Sequence, residues 1–426
     1  MTIGIFLGAL IGAMALGVPI AYALLVSGMA LMWHLDMFDS QILAQNLIEG
    51  ANSFTLLAVP FFLLAGEIMN VGGLSRRIVD VALAVVGHVR GGLGYVAIIA
   101  SCLLAALSGS AVADAAALTA LLLPMMVRAG HDRARSAGLL AAGGIIAPII
   151  PPSIGFVIFG VAANVSITRL FLAGIVPGIL IGAALWLTWW WVSRRENVPV
   201  PPRKSTREIL RAMRDSAWAL MLPVIILVGL RFGVFTPTEA AVVAAVYALF
   251  VAAVVYRELR LAQLLGVFVA AAKITSVIMF LVAAALVSSW LITVAQIPQQ
   301  MVSLLQPFMG NQTLLMIAIM VLVMAVGTAM DMTPTILILT PVLMPVVKAA
   351  GIDPVYFGVL FIINNAIGLI TPPVGTVLNT VAGVGKLKMD EVTRGMLPFM
   401  WAEFAMMFLM ILFPQLVTVP AKWFTY

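Results

Sequence analysis

Two segments put small hydroxyl and carboxyl side chains into otherwise apolar surroundings: "LSGSAVADAAA" at 107–117 and "VGTAMDMTPT" at 326–335. Asp114 is the only charged residue within 91–127, and Asp331 the only one within 274–347. Two further segments, "IIPPSIGFVIFG" at 149–160 and "LITPPVGTVLNT" at 369–380, each carry a proline pair. Proline removes a backbone donor and restricts the residue before it, so each pair should divide its helix and free carbonyl oxygens. Carbonyls and hydroxyls suit a small hard cation, and half-helix N-termini suit an anionic group. Two breaks and two hydroxyl-bearing tips imply two related cation sites flanking one anion site. Asp114 and Asp331 are open to two readings, a helix cap or structural hydrogen-bond partner on one side and a direct functional role on the other.

The elements that must hold these groups lie in lipid. The 426 residues are 63% hydrophobic and 9% charged, with mean hydropathy +1.16, which marks a polytopic all-α membrane protein. Irregular backbone at membrane depth persists only where protein buries it or where it lines a watery cavity. The breaks therefore serve ligands or tight packing. Cys102 alone excludes an internal disulfide framework, and His34, His88 and His131 lack metal-ligand spacing. The net charge of +6 marks cytoplasmic loops rather than a nucleic-acid partner. Glu67 and Glu239 read as interfacial or as helix caps, and the 25 methionines as packing.

No cleavable signal peptide is visible, and the first apolar run, 3–33, reads as one retained helix. Further spanning candidates lie near 54–70, 136–164, 167–193, 215–231, 238–256, 262–296, 355–384 and 395–418. The hydrophilic linker at 193–215 carries seven Arg or Lys residues against three acids and should face the cytoplasm. From that anchor Arg128 to Arg135, Arg257, Arg260, Lys386, Lys388 and Arg394 also fall inside.

A repeat organises the chain. Pro124 matches Pro345, Gly130 matches Gly351, Asp132 matches Asp353, and Pro151-Pro152 matches Pro372-Pro373, all 221 residues apart. Gly174 and Pro177 match Gly395 and Pro398 at the same separation. The loop at 128–135 is expected inside and its counterpart at 348–353 outside, so the halves form an inverted-topology repeat. The expected division is a first half over 1–193, with a re-entrant hairpin at about 95–128 and a broken helix at 136–164. A basic cytoplasmic linker follows at 194–214. The second half, 215–426, carries a hairpin at about 313–348 and a broken helix at 355–384.

The motifs "LSGSAVADAAALTALLLPMM", "AAGGIIAPIIPPSIGFVIFG", "FTPTEAAVVAAVYAL", "DMTPTILILTPVLMPVVKAAGIDPVYFGV" and "LITPPVGTVLN" closely resemble the large membrane subunit of tripartite ATP-independent periplasmic (TRAP) transporters. Within that family, "ALSGSAVADAAA", "GGIIAPIIPPSI" and "LTWWW" are most similar to carriers for 2,3-diketo-L-gulonate. The resemblance covers essentially the whole chain. It implies sodium-driven import of small organic acids by an elevator mechanism in a bacterial inner membrane. The implied partners are a periplasmic substrate-binding protein and a small four-helix membrane subunit, expected here as a separate polypeptide. Carried over residue by residue, one sodium site maps to Ser108, Gly109, Ser110, Pro151 and Ser153. The other maps to Gly327, Thr328, Asp331, Thr371, Pro372 and Gly375. Asp114, Asn365, Thr376 and Asn379 are the expected substrate contacts.

No G-x-x-x-x-G-K-[ST] occurs, and "GHVRGGLGY" at 87–95 lacks the strand and helix that phosphate binding needs, which excludes ATP hydrolysis. No cofactor beyond sodium as coupling ion is expected. An intramembrane enzyme would need a nucleophile–base pair or a metal ligand set, and neither is legible. A stand-alone sodium/organic-anion symporter is the alternative reading.

Overall fold

Apolar runs free of proline pairs become long helices. In the computed structural model, which describes residues 2–194, 196, 198–200 and 202–425, all regular structure among those residues is helical. Arg195, Asn197 and Pro201 of the basic linker lie outside the described residues. Among the described residues, eight helices are long and apolar enough to cross a bilayer: Phe54–Val71, Ala111–Arg128, Ile167–Ser193, Thr206–Arg231, Pro237–Val255, Leu261–Val294, Met332–Ala349 and Met389–Leu412. The chain is thus an all-α polytopic membrane protein. At 34 residues, Leu261–Val294 extends roughly 50 Å, well beyond a hydrocarbon layer of about 30 Å.

Three sequence expectations are corrected. The run at 3–33 is two helices, Thr2–Ala15 and Ile20–His34, packed on each other. Gly17 takes φ 81° between them, and Pro19 sits just ahead of the second helix. Left-handed backbone there reverses the chain where a continuous rod was expected. The run at 395–418 is interrupted: Met389–Leu412 ends, and Gln415–Thr425 follows Pro414. The helix after the basic linker starts at Thr206, inside the expected linker, because Ser205 and Glu208 form a reciprocal capping box. Glu239 acts likewise, its Oε2 accepting from Thr236 N and Thr236 Oγ1, each at 2.8 Å.

The helices flanking the two tips and the two proline pairs form two similar sets. In the first, Gly92–Ser108 turns into Ala111–Arg128, and Arg133–Gly144 is separated from Ile154–Ala163 by nine residues. In the second, Gln312–Gly327 leads to Met332–Ala349, and Pro354–Gly368 is separated from Thr376–Gly385 by seven. Several boundaries recur 221 residues apart: Ala111 and Met332, Arg128 and Ala349, Arg133 and Pro354. Capping recurs as well. The Asp132 carboxylate accepts from Arg135 N at 2.7 Å, and that of Asp353 accepts from Tyr356 N at 2.8 Å.

The two sets interlock. Ile154–Ala163 packs against Met332–Ala349, and Thr376–Gly385 packs against Ala111–Arg128. Fully buried Phe159, Phe357 and Phe361 lock the sets together with ring centroids 5.6, 5.7 and 6.1 Å apart. Tilted pairs of this kind add about 0.5–1.5 kcal/mol each beyond the area they bury. Gly174 and Gly395 mark close approaches: a Cβ on Gly174 would lie 2.5 Å from Ile149 O, and one on Gly395 would strike the Ala134 carbonyl. Around this core, Leu261–Val294 contacts Ile20–His34, Ser40–Ala51, Ala58–Val71 and Met332–Ala349. Ser288 Oγ on it donates to Leu24 O at 2.9 Å.

Candidate functional site

The first tip is two residues long. Gly109 ends Gly92–Ser108 in the left-handed region at φ 61°, and Ser110 starts the next helix, its Oγ accepting from Ala113 N at 3.4 Å. Ser108 Oγ donates to Asp114 Oδ1 at 2.5 Å and accepts from Ser110 N at 3.2 Å. Asp114 is 4% exposed, and its Oδ2 has no hydrogen-bond partner among the described residues. One carboxylate oxygen thus organises the tip while the other is unused.

This tip sits directly on the first interruption, residues 145–153, which contains a cis Pro151-Pro152 bond. A Cβ on Gly109 would lie 2.6 Å from Pro152 O, 3.1 Å from Ile154 N and 3.2 Å from Ser153 Cα. Glycine is required there by contact as well as by φ. Ser153 Oγ donates to Pro148 O at 2.6 Å and accepts from Phe156 N at 3.2 Å, which caps Ile154–Ala163. The carbonyls of Ala147, Ile149, Ile150, Pro151 and Pro152 accept no hydrogen bond among the described residues, although every residue of the segment is buried. Proteins rarely leave buried backbone groups unpaired, so such a cluster calls for a ligand or water.

At the second tip, Gly327 ends its helix, Thr328 Oγ1 donates to Ala325 O at 2.9 Å, and Asp331 precedes Met332–Ala349. The Asp331 carbonyl accepts from Thr335 Oγ1 at 2.9 Å. The second interruption, 369–375, holds a cis Pro372-Pro373 bond and Gly375 at φ 50°. A Cβ on Gly368 would lie 2.8 Å from the Gly327 carbonyl carbon, and one on Gly327 would lie 3.0 Å from Asn365 Oδ1. Asn365, fully buried, donates to Met332 O at 3.2 Å, while its Oδ1 is unpartnered among the described residues. Neighbouring Asn364 donates to Met320 O at 2.6 Å. Thr371 Oγ1 donates to Ile367 O at 2.8 Å, and Asn379 Nδ2 donates to Val374 O at 2.7 Å. The two interruptions differ in surroundings: Pro151 and Pro152 are buried, whereas Pro372, Pro373 and Val374 are exposed.

A cavity of about 680 Å³ opens between the tips. Gly109 and Ser110 line it from one side of the repeat and Asp331 to Pro334 from the other, with Lys273 and Val277 on the long helix forming a further wall. Asp114, Asn365, Thr376 and Asn379 lie outside that lining. Gly155 links the two sets beneath it, since a Cβ there would lie 3.0 Å from Met332 Sδ. Sequence reasoning missed Lys273. Its signal was available as the sole charge in the apolar helix Leu261–Val294.

Comparison with known proteins agrees with this architecture. Residues 7–416 match the family model described as tripartite ATP-independent periplasmic transporter, DctM component. The chain is 58% identical to the 2,3-diketo-L-gulonate TRAP transporter large permease protein YiaN of Escherichia coli, over 99% of this chain and 100% of the relative. It is 41% identical to the C4-dicarboxylate large permease DctM of Pseudomonas aeruginosa, over 87% of this chain and 86% of that protein. With the sialic acid large permease SiaM of Vibrio cholerae it shares 38% identity over 95% of each chain. Among solved structures, the YdaH transporter of Alcanivorax borkumensis shares the fold with TM-score 0.64 at 15% identity, covering 87% of this chain and 86% of that one. The chain belongs to the tripartite ATP-independent periplasmic transporter family as its DctM-type large permease, a secondary transporter spanning the bacterial inner membrane many times.

Proposed function

We propose that this permease imports small organic acids, sugar acids or other carboxylates, coupled to sodium entry. One observation carries the reading: most carbonyls of the buried segment 145–152 are unpaired among the described residues, and the one at Pro152 meets the tip at Gly109, beside Ser108, Ser110 and Ser153. That donor set is all oxygen, which fits a hard monovalent cation and disfavours soft metals. The second set, with Gly327 against Asn365 and Gly368 and an unpartnered Asn365 Oδ1, supports a related site near Thr328, Asp331, Thr371, Pro372 and Gly375. Sodium bound between a tip and its interruption would hold the two together. The anion would then bind in the cavity between the tips, with positive coupling to the ion.

On this reading the paired helices are re-entrant hairpins, the interrupted pairs are broken helices, and the halves 1–193 and 215–426 form an inverted repeat joined by the cytoplasmic linker 194–214. The interlocked sets form one body that slides against the long helices in an elevator movement. A small membrane subunit and a periplasmic binding protein complete the system, as the family names of the relatives suggest. The full-length relative for 2,3-diketo-L-gulonate makes that sugar acid the first substrate to test, ahead of C4-dicarboxylates and sialic acid. The test is uptake into proteoliposomes holding both membrane subunits, with and without binding protein, under inward sodium or potassium gradients. Accumulation should require sodium and binding protein together. Uptake with sodium but without binding protein would identify a stand-alone symporter, and uptake indifferent to sodium would refute the proposal.

A further inference from the structure

Leu261–Val294 contains a single charged residue, Lys273, twelve positions after its start. That is roughly 18 Å along a helix of about 50 Å, within the stretch that a layer about 30 Å thick covers when centred on the helix. An ammonium at such depth is costly unless it meets water, a partner or a ligand. Lys273 is exposed to the cavity between the tips, and its ammonium makes no hydrogen bond or ion pair among the described residues. Among the described residues it is the only cation lining that cavity, and Asp331 is the only acid. Around Lys273 the wall is apolar, with Ile274, Val277, Ile278 and Leu281 on the same helix. Low-dielectric walls strengthen a lone charge's pull on an ion of opposite sign.

We infer that Lys273 is the fixed positive charge that receives a carboxylate of the transported anion, while the tips contact the remainder of the molecule. This rests on the transport reading above and deepens it, because it assigns the anion's charge to the long helix and not to either tip. An ammonium is a compact charge with three rotatable donors, tolerant of the carboxylate's angle, so one lysine can serve acids of different shape. The cationic sites then need not neutralise the substrate by themselves, and the substrate bridges two bodies of the protein.

The test uses the purified complex of both membrane subunits, with Cys102→Ser and the reporter Val277→Cys. Val277 is one turn from Lys273, lines the same cavity and is 68% exposed. Rates of modification by an anionic and a cationic methanethiosulfonate are compared. Lys273→Met should lower the anionic-to-cationic rate ratio about tenfold, and Lys273→Arg should restore it. Protection of the reporter is then titrated with 2,3-diketo-L-gulonate, succinate and sialic acid in turn, in sodium. For the acid that protects, the half-protecting concentration should rise at least tenfold in Lys273→Met and recover in Lys273→Arg. An unchanged rate ratio, or equal protection with and without the lysine, overturns the inference while leaving the transport reading intact. Absence of protection by all three acids in the Lys273 protein overturns the cavity as the substrate site, and this inference with it.

Discussion

Gly109→Ala is the sharpest single perturbation of the tip. At φ 61°, alanine costs about 1–2 kcal/mol in the left-handed region. Its methyl would also lie 2.6 Å from Pro152 O, well inside an ordinary contact, so the tip must lift from the interruption by roughly half an ångström or more. The strain is present with or without the ion, so the sodium effect comes from the separation: if the ion draws ligands from both sides, loss of about 1–2 kcal/mol of ligand interaction corresponds to a factor of about 5–30. The half-saturating sodium concentration for uptake should rise by that factor in proteoliposomes, and stabilisation of the purified complex by sodium should shrink in thermal unfolding. Gly130→Ala is the control: φ is 97°, but nothing lies within 4 Å of the added methyl. It should lose stability through strain alone and keep the wild-type sodium dependence. An unaltered sodium curve in Gly109→Ala, or the same shift in Gly130→Ala, would refute the tip-on-break reasoning.

Ser110→Ala and Thr371→Ala should each raise the sodium requirement of uptake, and if both left it unchanged the assignment of the two cation sites would fail. Ser153→Ala removes the 2.6 Å bond to Pro148 O and the cap at Phe156 N, and should cost about 1–2 kcal/mol in unfolding of the purified complex. Asn365→Leu leaves Met332 O without its donor and crowds Gly327; a loss of about 1–3 kcal/mol in stability is expected, with weaker stabilisation by sodium.

Much of the site was legible because its chemistry is local. A proline pair stops a helix whatever surrounds it, and the interruptions fall at 145–153 and 369–375, around the two pairs. Gly109 and Gly327 are both legible in the sequence; the added-methyl distances show why Gly109 excludes a side chain, whereas a methyl at Gly327 requires Asn365 to shift. Other features depend on tertiary placement and left little trace. The helix Leu74–Val86, carrying Arg76, Arg77 and Asp80, was absent from the list of apolar runs because its periodic polar face dilutes hydropathy. The turn at Gly17 is a single backbone choice inside an apolar stretch. Lys273 has neither a motif nor a repeat partner, and only the cavity reveals which neighbours it faces. The unequal exposure of the two proline pairs likewise depends on how the whole body is seated, which no local pattern encodes.

Equilibrium binding of radioactive sodium to the purified two-subunit complex tests the central claim most directly. At least two saturable ions per large permease are expected, with one lost in Ser110→Ala and another in Thr371→Ala. A complex that binds no saturable sodium, or whose sodium count in both variants equals that of the wild type, would contradict it.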